Sequence, residues 1–370
     1  MRSRGDYLCI LTINDLGNYG NRLQNYALQE VLKEYGPVTT VDLQVGNFKI
    51  HGRMRYIFKK AKRLAVNSIR YVSGKNRRAQ AIRNFHFLSF TRKFVPDNLL
   101  VDSTTRGLQA WRNIHVKKAV IGSDQVWNYT FGLSDKDLAL RLGSDFAPEQ
   151  LLTYAASIGL DSIADERKPV FERYLNRIPS ISVREERAKE LVEQNSAQHA
   201  TVVLDPTLMV SAERWKRIMP GFVRDDDRYV LTYFLGTPSP EQKRTIDRYA
   251  EEHGLRVRRI NDKSDPETFA AGPREFVELF SKAQYVFTDS YHACCFSIIF
   301  GKDFKVYNRN SNGVHNMNSR MQTLFNLFDL ETSMSDESEI PTYDHQKIDE
   351  RLAQLQHSSK QWLDNAVNGK

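Results

Sequence analysis

The chain has 370 residues, 41% of them hydrophobic and 26% charged, with a formal net charge of +8. That length exceeds what one hydrophobic core usually supports, so two domains are expected. No apolar run approaches the ~20 residues of a membrane span, and Cys9, Cys294 and Cys295 are too few for a disulfide framework, which excludes a secreted disulfide scaffold and suits a reducing cytoplasm.

In chain order, Tyr7 to Ile13 reads as a buried first strand, since Asn14 and Asp15 cut the apolar run too short for a signal peptide. The loop from Asn14 to Asn21 has glycines that match neither GxGxxG nor the Walker pattern. Asn18, Asn21 and Gln24 there offer the paired donors and acceptors that sugar hydroxyls need, and the same residues also suit a plain turn with a capped helix. A helix over Asn21 to Tyr35 and a strand over Val38 to Leu43 follow.

Between Asp42 and Asp97 there is no acidic residue, while the segment 49–93 carries a dense set of lysines and arginines, including Lys49, Lys59, Lys60, Lys62, Arg63, Arg77 and Arg78. Ile57, Ala61, Leu64, Ala65, Ile69 and Val72 recur in it at helical spacing. Two readings stay open: an amphipathic helix with a solvated basic face, or a face for an anionic membrane surface or a lipid-linked phosphate. Nucleic acid is not expected as a partner, because no recognition motif accompanies the charge.

Further strands are expected at Lys118 to Ile121, Leu151 to Ala155, Ser180 to Val183 and Val202 to Leu204, with a helix over Glu185 to Gln194. Asp124, Gln125 and Trp127 follow the first of these strands, mixing polar groups with an indole that serves either as the apolar face of a sugar site or as core. Arg184 is placed to clamp an anion or to pair with a neighbour such as Glu185. The polar run Arg224 to Arg228 reads as a linker, giving domains at 1–223, which holds the basic region, and 224–370.

The second half restarts the alternation: Tyr229 to Leu235, a helix over Pro240 to His253, a strand over Leu255 to Ile260, a helix over Pro273 to Lys282, and a strand from Tyr285. Asp289 and Ser290 then open a helix. Ser290 is a candidate N-cap and anion-site residue, and His292 lies at the positive helix end, with Asp289 three residues before it to orient the ring. Gly301 fits the C-terminal cap. His292, Cys294 and Cys295 are too close in sequence to point at one metal, so no metal is expected. A strand at Phe304 to Tyr307, a helix over Ser319 to Phe328 carrying the second anion-clamp candidate Arg320, and a closing helix over Asp344 to Val367 complete the chain. The fold class is therefore α/β, two Rossmann-like domains with mainly parallel sheets.

The blocks GNYGNRLQNYALQ, IGSDQVWN, YAASIG, SVREERAKEL, VLDPTL, FTDSYHACCFSIIFGKDF and NMNSRMQTL, running from Gly17 to Leu324, resemble in content and order those of the polysaccharide pyruvyl transferase family. The resemblance implies a GT-B-like arrangement and transfer of a pyruvyl group from phosphoenolpyruvate, a donor substrate rather than a cofactor, to a sugar or lipid-linked oligosaccharide. Carried over by matching blocks, His292 looks like the family's donor-site histidine, the candidate acid, and Arg184 like its phosphoenolpyruvate-binding arginine. Asn18, Asn21, Gln24, Asp124, Gln125 and Trp127 are the acceptor-side candidates. Ala293 stands where many relatives have glycine, a departure that bears on donor-pocket shape. The location implied is cytoplasmic, on the inner face of the membrane if the basic segment binds lipid. A nucleotide-sugar glycosyltransferase and a non-catalytic carbohydrate or anionic-lipid binder are the competing readings.

Overall fold

The computed structural model describes residues 7–15, 17–44, 62, 65–69, 71, 74–95, 99–102, 116–308, 316–330 and 340–369. The chain forms two compact units, one of Met1–Arg63, Thr91–Met209 and Gln354–Lys370, the other of Leu64–Phe90 and Val210–Ala353. The division thus falls before Val210, and the run Arg224 to Arg228 lies inside the second unit. The reason is local packing. Trp215 meets Phe296 edge to face at 4.9 Å, and the buried Glu278 carboxylate accepts the N–H groups of Phe222 and Val223.

In the first unit, β1 (Tyr7–Leu11), β2 (Val38–Gln44), β3 (Leu99–Asp102), β4 (Val116–Asp124), β5 (Leu151–Ala156), β6 (Ile181–Val183) and β7 (Ala200–Val202) form one parallel sheet in the order β3-β2-β1-β4-β5-β6-β7. This is the doubly wound order, whose direction of travel reverses between β1 and β4. Buried aliphatic residues of these strands, with Leu138, Phe171 and Leu191, make the core. Gly122 on β4 lets the Tyr19–Leu32 helix lie close: a Cβ there would stand 2.4 Å from Leu28.

Strand β3 and the helices Asp135–Arg141 and Lys168–Leu175 carry no strong sequence pattern and were not anticipated. The strand expected over Val202 to Leu204 shifts to β7, because the Leu204 N–H is taken by the Ser359 hydroxyl at 3.0 Å. The last helix, His345–Asn368, ends on the first unit. There Lys360 donates to Tyr35 and Asp364, and Trp362 packs on Tyr154.

In the second unit β8 (Tyr229–Tyr233), β9 (Arg256–Ile260), β10 (Tyr285–Thr288) and β11 (Phe304–Val306) make a parallel sheet in the order β11-β10-β8-β9. Here the reversal falls between β8 and β10. Against this unit lies the first part of the long Lys75–Phe94 helix: Ala79 and Ile82 pack on Phe269 and Ala270, and Arg83 donates to Asn261 at 2.9 Å. Of the apolar stripe expected in the basic segment, Ala65 is exposed and Ile69 is 66% exposed; Ile57, Ala61, Leu64 and Val72 lie outside the described side chains. Alanine and isoleucine at those two positions therefore do not supply the buried face, which comes instead from Ala79, Ile82 and Phe87.

Candidate functional site

Each sheet reversal carries a polar cluster. In the first unit Asn18 caps the Tyr19–Leu32 helix, its side chain accepting the Asn21 N–H at 3.1 Å. The Asn21 amide reaches across the reversal and donates to Asp124 at 3.3 Å, while its oxygen accepts from Asp15 and Arg22. Thr12, just past β1, donates to the Ser123 carbonyl at 2.8 Å and accepts from Gln24 at 3.1 Å. Asp124 ends β4 in a left-handed conformation, φ 68°. A non-glycine residue held there marks a backbone shaped by its surroundings. Its carboxylate is only 14% exposed and accepts the Gln125 N–H at 2.9 Å.

Arg184, at the end of β6, is fully buried. It donates to Asp205 at 2.8 Å, with Asp124 at 3.8 Å and Glu185 at 3.9 Å. Asp205 in turn accepts from the Ser123 hydroxyl and from the Thr207 N–H and hydroxyl. Three carboxylates thus lie around one guanidinium, and the buried Arg141 also acts on Asp124. Of the two readings of Arg184, an anion clamp or a partner for its neighbours, the structure shows the pairing. Trp127 is likewise core: it has no exposed surface, and its indole N–H donates to the Arg141 carbonyl at 3.3 Å. Gln24 is also fully buried, so neither it nor Trp127 presents a face to a sugar. Gln125 is half-buried and accepts from Asn128 at 2.7 Å. Sequence reasoning missed Asp205. Its signal was an acidic residue at a strand's carboxyl end, locked before Pro206.

In the second unit Asp289 follows β10, and its two oxygens accept the Leu235 and Gly236 N–H groups, both at 2.7 Å. It therefore anchors the loop after β8 across the reversal. Ser290 occupies the N-cap position of the Tyr291–Ile299 helix, yet its hydroxyl makes no capping bond; its N–H donates to the Thr288 hydroxyl at 3.0 Å. Capping by the Ser290 side chain is thus corrected to capping by position alone. His292 stands in the first turn, 9% exposed, its ring edge-on to Tyr291 at 5.5 Å. At the other end Gly301, φ 56°, donates to Ile298 and Lys302 donates to Ser297, the paired bonds of a glycine-terminated helix. Ala293, Cys294 and Cys295 are fully buried, and burial, followed by the Asp289 charge, pushes the Cys294 thiol up. Arg320, in the Asn316–Phe328 helix, is 6% exposed.

The structure thus groups Asn18, Asn21, Gln24, Asp124, Gln125 and Arg184 in one unit, and Asp289, Ser290 and His292 in the other. The first cluster offers a constrained carboxylate near side-chain amides, the second an imidazole at a helix start. Parallel α/β sheets with polar groups gathered at the reversal of strand order define a class of proteins that take small polar ligands at strand carboxyl ends. The chain belongs to the polysaccharide pyruvyl transferase family, whose model matches residues 18–311, and it is a transferase of that family.

Comparison with curated proteins finds no match. Among solved structures the chain is similar to the UDP-GlcNAc 2-epimerase of Methanocaldococcus jannaschii (12% identity, 94% of this chain and 92% of that one, TM-score 0.48). It is also similar to that of Neisseria meningitidis bound to UDP-GlcNAc (12%, 98% and 94%, 0.43) and to the E. coli ADP-heptose lps heptosyltransferase II (10%, 95% and 99%, 0.37). The α/β class rests on the strand orders above.

Proposed function

We propose that the protein transfers the pyruvyl group of phosphoenolpyruvate to a sugar of a cell-surface polysaccharide or its lipid-linked precursor, forming a pyruvate ketal. The family match carries this reading, and the placement of His292 at a helix start beside a sheet reversal supports it. In the proposed reaction a proton adds to the methylene carbon, a sugar hydroxyl attacks the neighbouring carbon, the bond to the phosphate oxygen breaks, and a second hydroxyl closes the ketal. Protonated His292 is the acid, at a helix end whose backbone N–H groups favour an anion. Ser290 and Arg320 are assigned to the donor. Asn18, Asn21, Asp124 and Gln125 are assigned to the acceptor, Asp124 binding it or accepting its hydroxyl proton. The geometry supports Arg184 as the residue that positions Asp124 and Asp205 rather than one that holds phosphate directly.

Phosphate release from phosphoenolpyruvate, screened against simple and lipid-linked glycosides, tests the proposal. His292→Ala is expected to lower turnover about a hundredfold or more, the usual scale for loss of a general acid. Near-native release by a folded His292→Ala protein removes the assignment.

A membrane-linked acceptor is favoured by the exposed Ile69 and Tyr71 in the same unit as the exposed cations Lys75, Arg77 and Arg78, of which Arg78 donates to the Tyr71 hydroxyl. No helix among the described residues is long and apolar enough to cross a membrane. Charge reversal at Lys59, Lys60, Lys62 and Arg63 is expected to weaken sedimentation with anionic vesicles; unchanged sedimentation assigns the segment to solvent.

A further inference from the structure

Beside the Asp289-anchored loop, a cavity of about 370 Å³ opens at the carboxyl ends of β8 and β9. That is the size of a drug-sized ligand site, larger than a three-carbon phosphate needs. Phe234, Ile246, Ile260 and Pro238 give it an apolar wall, and Phe234 is backed by Tyr307, stacked at 6.1 Å. Lys243, Asp262 and Lys263 are exposed at its rim. The other two charged lining residues, Arg259 and Asp247, form an ion pair at 2.9 Å. Asn261 is already held, accepting from Arg83 and donating to the Phe234 carbonyl.

Among the described residues, Lys243 and Lys263 form no ion pair, so two ammonium groups overhang an apolar slot. Asp262 accepts the Ser264 N–H at 2.8 Å. Burial works to raise the Asp262 carboxyl, but the bonds from Ser264 and the fields of Arg259 and Lys243 hold it below the usual carboxylate range. It is therefore an ionised acceptor at the rim. β8, the turn at Gly236, the Pro240–Glu252 helix and β9 form a βαβ unit, with Asp262 two residues beyond the second strand, where open α/β sheets take their ligands.

We infer that this cavity binds a nucleoside diphosphate, its base against Phe234 and Ile260, its ribose diol on Asp262 and its phosphates on Lys243 and Lys263. The ligand is either a free nucleotide or the nucleotide end of a nucleotide-linked sugar. The inference stands apart from the donor proposed above, because binding requires no turnover.

Equilibrium dialysis of the full chain against UDP, ADP and GDP, with inorganic pyrophosphate and phosphoenolpyruvate as comparison anions, tests it. At least one nucleotide is expected to saturate the protein below millimolar concentration. Lys243→Glu with Lys263→Glu should weaken that binding about tenfold or more while leaving the thermal midpoint unchanged. The 2′-deoxy nucleotide should bind more weakly than the ribonucleotide to the native chain but equally to Asp262→Ala. Undiminished binding of the matching nucleotide-linked glucose identifies a nucleotide-linked sugar; its loss identifies a free nucleotide. Absence of saturation by all three nucleotides, pyrophosphate binding as tightly as the best of them, or indifference to the lysine reversals overturns the inference.

Discussion

At the β1/β4 reversal of the first unit, one buried guanidinium is surrounded by Asp124, Glu185 and Asp205, and its bond to Asp205 joins a network that includes the Ser123 hydroxyl. At the β8/β10 reversal of the second, Asp289 spends its charge on two backbone N–H groups, and the residue placed at the helix start is a histidine. The same topological position is thus used for a carboxylate–guanidinium cluster in one unit and for an anion-favouring helix end in the other. Strand order decides where polar groups gather; the residues placed there decide the sign of the field.

The sharpest way to break this comparison is Arg184→Ala. If the arginine serves to neutralise buried carboxylates, its removal should destabilise the protein by about 3–5 kcal/mol, the cost of leaving buried charges unpaired, as read by denaturant unfolding. An unchanged midpoint, with loss of phosphoenolpyruvate affinity alone, would restore the clamp. Trp127→Ala is expected to cost a similar ~3–5 kcal/mol as a core truncation; a normal midpoint with altered acceptor KM would return the indole to the sugar site.

Next in size, Asp289→Asn weakens two charge-assisted bonds to the β8 loop, and a loss of about 1.5–3 kcal/mol is expected. Increased hydrogen exchange at Leu235 and Gly236 is the accompanying signature; unchanged protection there contradicts the anchoring role.

The smallest effects lie with the titrating groups. Burial pushes the Cys9 thiol up from 9.0 to about 12. Its folded value being raised, the neutral thiol's contribution is fully present below the unfolded value and is lost as pH rises from about 9 through 12. Native protein should accordingly leave Cys9 unreactive toward thiol reagents at pH 8, and prompt labelling refutes this. Bonds from Lys360 and then Tyr35 hold Asp364 below the usual carboxylate range. Its contribution, about 0.2–1 kcal/mol for such an exposed pair, is present above pH 4 and disappears as acid titrates it. Asp364→Asn should flatten that acid limb of the pH–stability curve.

Long apolar runs such as Tyr285 to Thr288 and capped helices such as Pro273–Lys282 were legible in the sequence because local periodicity and cap chemistry specify them. Short or weakly patterned pieces, β3 and the Lys168–Leu175 helix among them, were not, since tertiary packing rather than propensity holds them. The grouping of Asn14 to Gln24, Ser123 to Asn128 and Arg184 at strand ends followed from the expectation that parallel sheets collect polar groups there. What sequence spacing cannot convey is burial. That Arg184 pairs with Asp205, that the Trp127 indole donates to Arg141 and that Asp289 bonds the loop after β8 are contacts between residues distant in sequence. The chain by itself determined the alternation of elements, the family blocks and the polarity of the His292 helix; only the tertiary structure decided which of those polar groups are neutralised by neighbours, because desolvation and ion pairing act through space.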